Sequence, residues 1–341
     1  MKYRSRASFT YQDAAPLIAF WEHEFEEHGM EHESVGLNSI VGSAEFGRVQ
    51  FDMDGTKATV SIATDDASIL YDIQSGICDH LKEFDPGVRV SAWSGEHKAG
   101  ALLPNLTIGT VSAVEPLNNV FLRVTVSAQP QDLARFDDEH MHFRLLRRKN
   151  ARCAPVWPRI NKKGTVDWPQ GDDELIDRSY TTRQINVAGG NIVFDVFRHE
   201  HGPTCFWLDQ NPIGEMIGLV GPGGGGTPKA EWVLMGGDET AVPAILKSIE
   251  TMPKSTKGKV FMLLPSREDV LPLPKASLQV TWLFRDEQDN LVEEMKSITV
   301  PDPGSSALWF AASKTEARDI RAHGRTLGIS RENLNSAAYW D

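Results

Sequence analysis

Residues 178–208, RSYTTRQINVAGGNIVFDVFRHEHGPTCFWL, decide how this chain folds. A cluster of guanidinium, aromatic and hydroxyl groups (Arg178, Ser179, Tyr180, Thr181, Arg183) precedes an Ala-Gly-Gly turn and the alternating run NIVFDVFRH. That strand ends in His-Glu-His-Gly-Pro. Core packing needs neither the polar cluster nor the Gly-Pro, whereas holding an anionic, planar group needs both. In extended chain, alternate residues share a face, so Arg178 and Tyr180 point one way and Thr181 the other.

Outward from this stretch the same texture continues. TIGTVSAVEPL, VFLRVTVSA, HMHFRLLRR and EMIGLVGPGGG are short segments with Gly/Pro turns and no helical period. They predict an antiparallel β-barrel over residues 100–226. From 229 to 341 the pattern becomes strand, turn, helix. Strands such as EWVLMGG, KVFMLLP, LQVTWLF and ALWFAAS alternate with helical runs. This predicts a C-terminal α/β domain with a parallel sheet, which takes ligands at the carboxyl ends of its strands. Residues 1–95 predict a small α+β domain: a helix over 12–31, a hairpin GRVQFDM/KATVSIAT about Asp54-Gly55, and a second helix ASILYDIQSGICDHLKEF. SGEHKAGALLPN, at 94–105, reads as a linker. The fold class is thus multidomain α+β and α/β.

The 341-residue chain is 40% hydrophobic and 24% charged, as soluble globular proteins are. Its formal charge of −12 argues against general nucleic-acid binding, where phosphate contacts dominate. The N-terminus lacks a signal-peptide pattern and no apolar run is long enough to insert in a membrane. Cys78, Cys153 and Cys205 form no CxxC, so neither an iron–sulfur cluster nor structural zinc is expected, and a reducing cytoplasm fits.

Several groups are candidates for a site. Arg178 can clamp a diphosphate, Tyr180 can pack beside a ring system, and Thr181 can hydrogen-bond its edge. The same residues also read as a sheet edge with a surface salt bridge. His199, His201, Gly202, Pro203, Thr204 and Trp207 read either as a capped helix start or as a phosphate site with open N–H groups. Asp238, Glu239 and Thr240 follow an apolar strand and open a helix, without a dinucleotide fingerprint. Ser266 and Arg267, at the next strand end, suit a ribose 2′-phosphate or simple exposure. Arg144 and Arg148 share one face of a strand and could draw an anionic complex. His28 and His32, at i,i+4 on the first helix, have metal-ligand spacing, but a charged solvated face explains them and no metal is expected.

In their order and spacing, residues 106–340 resemble the siderophore-interacting protein family, the flavin-containing ferric-siderophore reductases. The resemblance rests on His142-Phe143-Arg144-Leu145, Arg178-Ser179-Tyr180-Thr181, Gly202-Pro203 with Trp207, Gly237-Asp238-Glu239-Thr240-Ala241, Arg285 and Tyr339-Trp340. It implies a flavin barrel and a ferredoxin-reductase-like nucleotide domain. FAD would be held by Arg178, Ser179, Tyr180, Thr181, Asp195, Phe197, His199, His201, Gly202, Pro203, Thr204 and Trp207. NADPH or NADH would meet Asp238, Glu239, Thr240, Ser266, Arg267 and Arg285. A ferric siderophore would meet Arg144 and Arg148, with iron released in the cytoplasm. A reductase fed by ferredoxin, or a flavin-binding siderophore carrier or sensor with little turnover, are the alternatives. The chain departs from the family at Ala311-Ala312-Ser313, where Ala-Gly-Glu is usual, and has no basic residue after Trp340. Residues 1–95, with Trp21-x-His23 and His80-Leu81, are similar to a small bacterial domain of no assigned function.

Overall fold

The computed structural model describes residues 1–28, 30–95, 98–136, 140–150, 154–199 and 202–341. The chain divides into two compact units, Met1–Leu106 with Arg148–Leu175, and Thr107–Arg147 with Ile176–Asp341.

In the first unit, β1 (Tyr3–Thr10), α1 (Ala14–Glu27), β2 (Glu31–Ser34), β3 (Ser39–Ala44), β4 (Gly47–Asp54), β5 (Lys57–Thr64), α2 (Ala67–Phe84) and β6 (Ser94–Gly95) follow in order. The strands form an antiparallel sheet in the order β2-β3-β4-β5-β1-β6. The predicted hairpin is present, with Asp54 opposite Lys57 and Gly55 at φ 57° in the turn. Alternation on β4 sends Val49, Phe51 and Met53 inward. There they meet Leu17, Trp21 and Phe25 of α1 and Leu70, Ile77 and Leu81 of α2. Trp21 stacks on Phe51 with centroids 4.0 Å apart. Asp66 caps α2 by accepting from the Ser68 and Ile69 N–H groups.

Three features here differ from what the sequence pattern predicts. α1 stops at Glu27, so His32 lies on β2 and shares no helix with His28. β1 is a full central strand that the reading passes over. Ser94-Gly95 pairs with β1 instead of serving purely as linker.

The chain then runs through β7 (Leu106–Pro116), β8 (Phe121–Ala128), the short α3 (Pro130–Leu133) and β9 (His142–Arg148). Residues 148–175, read from the sequence as barrel, belong with the first unit. They carry the small pair β10 (Arg159–Ile160) and β11 (Val166–Asp167), and Lys163 accepts the Trp93 N–H. The barrel resumes with β12 (Leu175–Asn186), β13 (Asn191–Phe197), α4 (Pro203–Asp209) and β14 (Met216–Gly223), and it closes in the order β12-β13-β8-β7-β14-β9. Val124, Val126, Phe143, Leu145, Ile192, Phe194, Ile217 and Leu219 fill it.

The C-terminal part comprises β15 (Trp232–Gly237), α5 (Val242–Thr251), β16 (Lys257–Leu264), β17 (Gln279–Phe284), α6 (Leu291–Lys296), β18 (Ser306–Ser313), α7 (Lys314–Thr326) and β19 (Leu334–Trp340). All its strand pairs are parallel, in the order β17-β16-β15-β18-β19. Two cores explain the unbroken apolar strands. Val233, Met235, Ala307 and Trp309 face α5, while Leu234, Leu308 and Phe310 face α6 and α7. Gly237 is needed where β15 turns into α5: a Cβ there would lie 2.4 Å from Ala241 Cβ and 2.8 Å from Ala311 O. No helix among the described residues is long and apolar enough to cross a membrane.

Candidate functional site

β12 does not hold strict alternation through the Arg178–Arg183 cluster. Its pairing with β13 shifts register between Thr182 and Gln184, which bends the strand. Arg178 and Ser179 are exposed, Tyr180 is half-buried, and Thr181, Thr182 and Arg183 are all buried. The Tyr180 ring packs on Phe143 and Phe194. Its hydroxyl bonds the Thr204 side chain, and burial pushes its pKa up to about 12, so it stays a neutral phenol. Arg178 donates to the neighbouring Asp177 carbonyl at 2.7 Å, and its guanidinium remains exposed.

Arg147, which lies in the basic run 144–149 but outside the residues expected to hold FAD, closes this cluster. It is 6% exposed, its Nη2 donates to Pro203 O at 2.5 Å, and its guanidinium lies 5.5 Å over the Trp207 ring. Burial lowers its pKa, while the neighbouring Tyr180 raises it. Parity was the available signal, because Phe143, Leu145 and Arg147 share the inward face of β9.

Gly202 precedes α4 with no side-chain cap, so the first N–H groups of the helix have no intrahelical partner. A Cβ at Gly202 would lie 2.7 Å from His199 Nε2 and 2.9 Å from Cys205 Sγ. A side chain there would require the exposed His199 ring and the Cys205 thiol to shift. His199 stacks on Phe197. His201 lies outside the described residues.

Other predicted residues are engaged within the protein. Asp195 is 3% exposed. It accepts two 2.8 Å bonds from Arg123 and lies 3.3 Å from Arg183 Nε. Arg183 in turn clamps Glu250 of α5 at 2.8 and 3.0 Å. This ion network ties barrel to sheet. Trp207 is buried, with Nε1 3.3 Å from Glu215 Oε2. Arg144 pairs with Asp177, and Arg148 ends β9 half-buried.

At the carboxyl edge of the parallel sheet, five strand ends converge. Asp238 follows β15, Ser266 and Arg267 follow β16, Arg285 follows β17, Ser313 ends β18 and Trp340 ends β19. Asp238 accepts from the Thr240 N–H and hydroxyl and from Trp340 Nε1 at 2.6 Å, and burial raises its pKa. Glu239 takes a two-point bond from Arg285 at 2.5 and 2.9 Å. Ser266 bonds Asp269, and Arg267, exposed, pairs with Glu287 across the Phe284 ring. Ser313 caps α7 in a reciprocal pair with Glu316. The hydroxyl therefore serves the helix that opens where the family usually has Gly-Glu.

Comparison with known proteins fits this architecture. A sequence model described as the siderophore-interacting FAD-binding domain matches residues 110–226, and one described as siderophore-interacting protein matches 230–341. The ferric vibriobactin reductase of Vibrio cholerae is 30% identical over 233 residues, 64% of this chain and 83% of that protein. The chain belongs to the siderophore-interacting protein family.

Among solved structures, a siderophore utilization protein from T. fusca superposes with a TM-score of 0.60 at 22% identity, covering 69% of this chain and 92% of that one. A ferredoxin reductase of carbazole 1,9a-dioxygenase, in its FAD-free form, has a TM-score of 0.52 at 15% identity, over 74% of this chain and 73% of that one. The barrel and parallel sheet are thus of the ferredoxin-reductase type. This siderophore-interacting protein is an FAD-dependent oxidoreductase, and its FAD-binding domain is the barrel. The barrel residues fit that cofactor in kind: two guanidiniums, a neutral phenol and the Thr204 hydroxyl are donors of the type that a diphosphate and a ring edge accept from. Neither family match reaches residues 1–109.

Proposed function

We propose that this protein passes electrons from NADPH, or NADH, to Fe(III) held in a siderophore, and that iron leaves as Fe(II) in the cytoplasm. The observation that carries this reading is the cluster of Arg147, Arg178, Tyr180 and Thr204 in an FAD-binding barrel joined to a nucleotide-type sheet. Bound FAD supplies the conversion of a two-electron hydride donor into one-electron transfers. Arg147 and Arg178 supply positive charge for its diphosphate, with Gly202, Pro203 and Thr204 lining the turn. Tyr180 and Thr181 hold the ring side, and the high pKa of Tyr180 keeps it a donor across the working pH range. At the sheet edge, Asp238, Glu239 and Thr240 shape the nicotinamide-nucleotide site, and Arg285 holds Glu239 in place. Ser266 and Arg267 take the 2′-phosphate. Arg144 and Arg148 draw the anionic ferric complex toward the barrel. No side-chain nucleophile or acid is required. Reduction weakens the chelate because Fe(II) is a poorer match than Fe(III) for hard oxygen donors.

An anaerobic absorbance titration tests the reading. The yellow protein should bleach with NADPH and recover its colour when a ferric siderophore is added. A protein that holds FAD but ignores NADPH, and bleaches with reduced ferredoxin, would transfer the donor role to ferredoxin. A protein that takes up no FAD would remove the flavin reading altogether.

Selectivity for the 2′-phosphate rests on Arg267. Its pair with Glu287 is a surface pair, open to competition by a phosphate. Arg267→Ala should raise the KM for NADPH about tenfold, the loss of one charge-assisted contact, and leave the KM for NADH unchanged. Equal effects on both nucleotides would place Arg267 outside the 2′-phosphate site.

A further inference from the structure

The first unit holds a cluster that the reductase reading does not use. α1 carries Glu24 and, at its C-cap four residues on, His28, while α2 brings in His80. The Nε2 atoms of His28 and His80 face each other at 3.1 Å, with the rings inclined at 76°. Glu24 Oε2 lies 3.7 Å from His28 Nε2 and 2.8 Å from His80 Nδ1. The donor atoms of the three side chains all fall within 4.8 Å of one another. We propose that Glu24, His28 and His80 form a binding site for one divalent first-row transition-metal ion.

Three features support it. The first is spacing. Bonds of about 2.0–2.1 Å in a tetrahedral site separate neighbouring ligand atoms by roughly 3.3 Å, and the 3.1 and 3.7 Å separations bracket that value. The second is orientation. An imidazole offers one ion a single nitrogen, and His80 turns Nε2 toward His28 while its buried Nδ1 faces the Glu24 carboxylate at 2.8 Å. A carboxylate beside the other ring nitrogen fixes a ligating imidazole. The third is donor type. Two imidazoles and a carboxylate suit Zn2+ and Fe2+, and not Ca2+ or Mg2+, which prefer oxygen ligands alone.

The frame is rigid on one side and open on the other. His80 packs edge-on to Trp21, which stacks on Phe51 in the core, and Glu24 is only 13% exposed. His28 is 56% exposed and gives an entry path with room for water ligands. His32 lies on β2, off the first helix, and the imidazole facing His28 comes from α2, 52 residues away.

The test is calorimetric titration of the full chain with Zn2+ after chelator treatment. One ion per chain is expected. His28→Ala, at an exposed position that leaves the core intact, should weaken binding at least about tenfold, and His80→Ala should abolish it. His32→Ala should change nothing, and NADPH bleaching of FAD should be the same in His28→Ala as in the parent protein. Absence of Zn2+ binding, or binding as strong as that of the parent protein in either His28→Ala or His80→Ala, overturns the site and leaves a plain imidazole–imidazole hydrogen bond. The Zn2+ titration is independent of the reductase reading, since it involves neither FAD nor siderophore.

Discussion

Replacing Asp195 by alanine is expected to destabilise the unit of barrel and parallel sheet by about 3 kcal/mol. The Asp195 side chain is 1% exposed and Arg183 is 5% exposed. Removing the carboxylate strands two guanidiniums that have already lost water, Arg123 more partially than Arg183. The loss of a partner for a buried charge outweighs the Coulomb energy of the pair itself, so the expected effect exceeds that of any surface pair here. Glu250→Gln should cost less, because Glu250 is more than a third exposed and water replaces part of its role. Hydrogen exchange across β13 and urea unfolding both report the effect. Asp195→Asn separates two roles for this residue. A structural anchor predicts faster exchange in β13 with FAD affinity preserved in the folded fraction. Unchanged exchange with much weaker FAD binding would instead make Asp195 a cofactor ligand.

Arg178→Ala is expected to loosen FAD by about 10- to 100-fold, the equivalent of one charge-assisted contact of about 1.5–3 kcal/mol. The side chain is exposed and bonds only a neighbouring carbonyl among the described contacts, so the fold has little to lose. Thermal stability of the FAD-free protein should therefore match that of the parent. Lysine should restore binding only in part, because an ammonium cannot make the two-point contact of a guanidinium. Fluorescence titration of FAD into the stripped protein gives the affinity directly. Equal affinities for parent and variant would falsify the assignment of Arg178 to the diphosphate. Arg147→Leu is a poorer probe of the same site, since Arg147 also packs on Trp207 and bonds Pro203.

Much of the molecule was legible along the chain because its information is local. The barrel strands alternate, the C-terminal strands are continuously apolar, and helices open where Gly-Gly-Asp-Glu-Thr and Ala-Ala-Ser follow them. α2 spans Ala67–Phe84 as its pattern predicts. α1 ended early because the acidic run 22–27 continues a helical composition while β2 takes over from Glu31 to pair with β3. The excursion at 148–175 had no local signature, since its partners lie in the first unit.

The sequence by itself determined the antiparallel barrel, the parallel sheet with helices that follows it, and the family to which both belong. Only the tertiary structure decided which of those polar groups are already committed to one another. Asp195 finds Arg123 72 residues away, Glu239 finds Arg285 46 residues away, and His28 finds His80 52 residues away. Charge pairing of that kind leaves no period in the chain. It is set by which strand and helix ends the packing of two cores brings within about 3 Å of each other, where direction and burial decide whether a charged group is spent on the fold or left for a ligand.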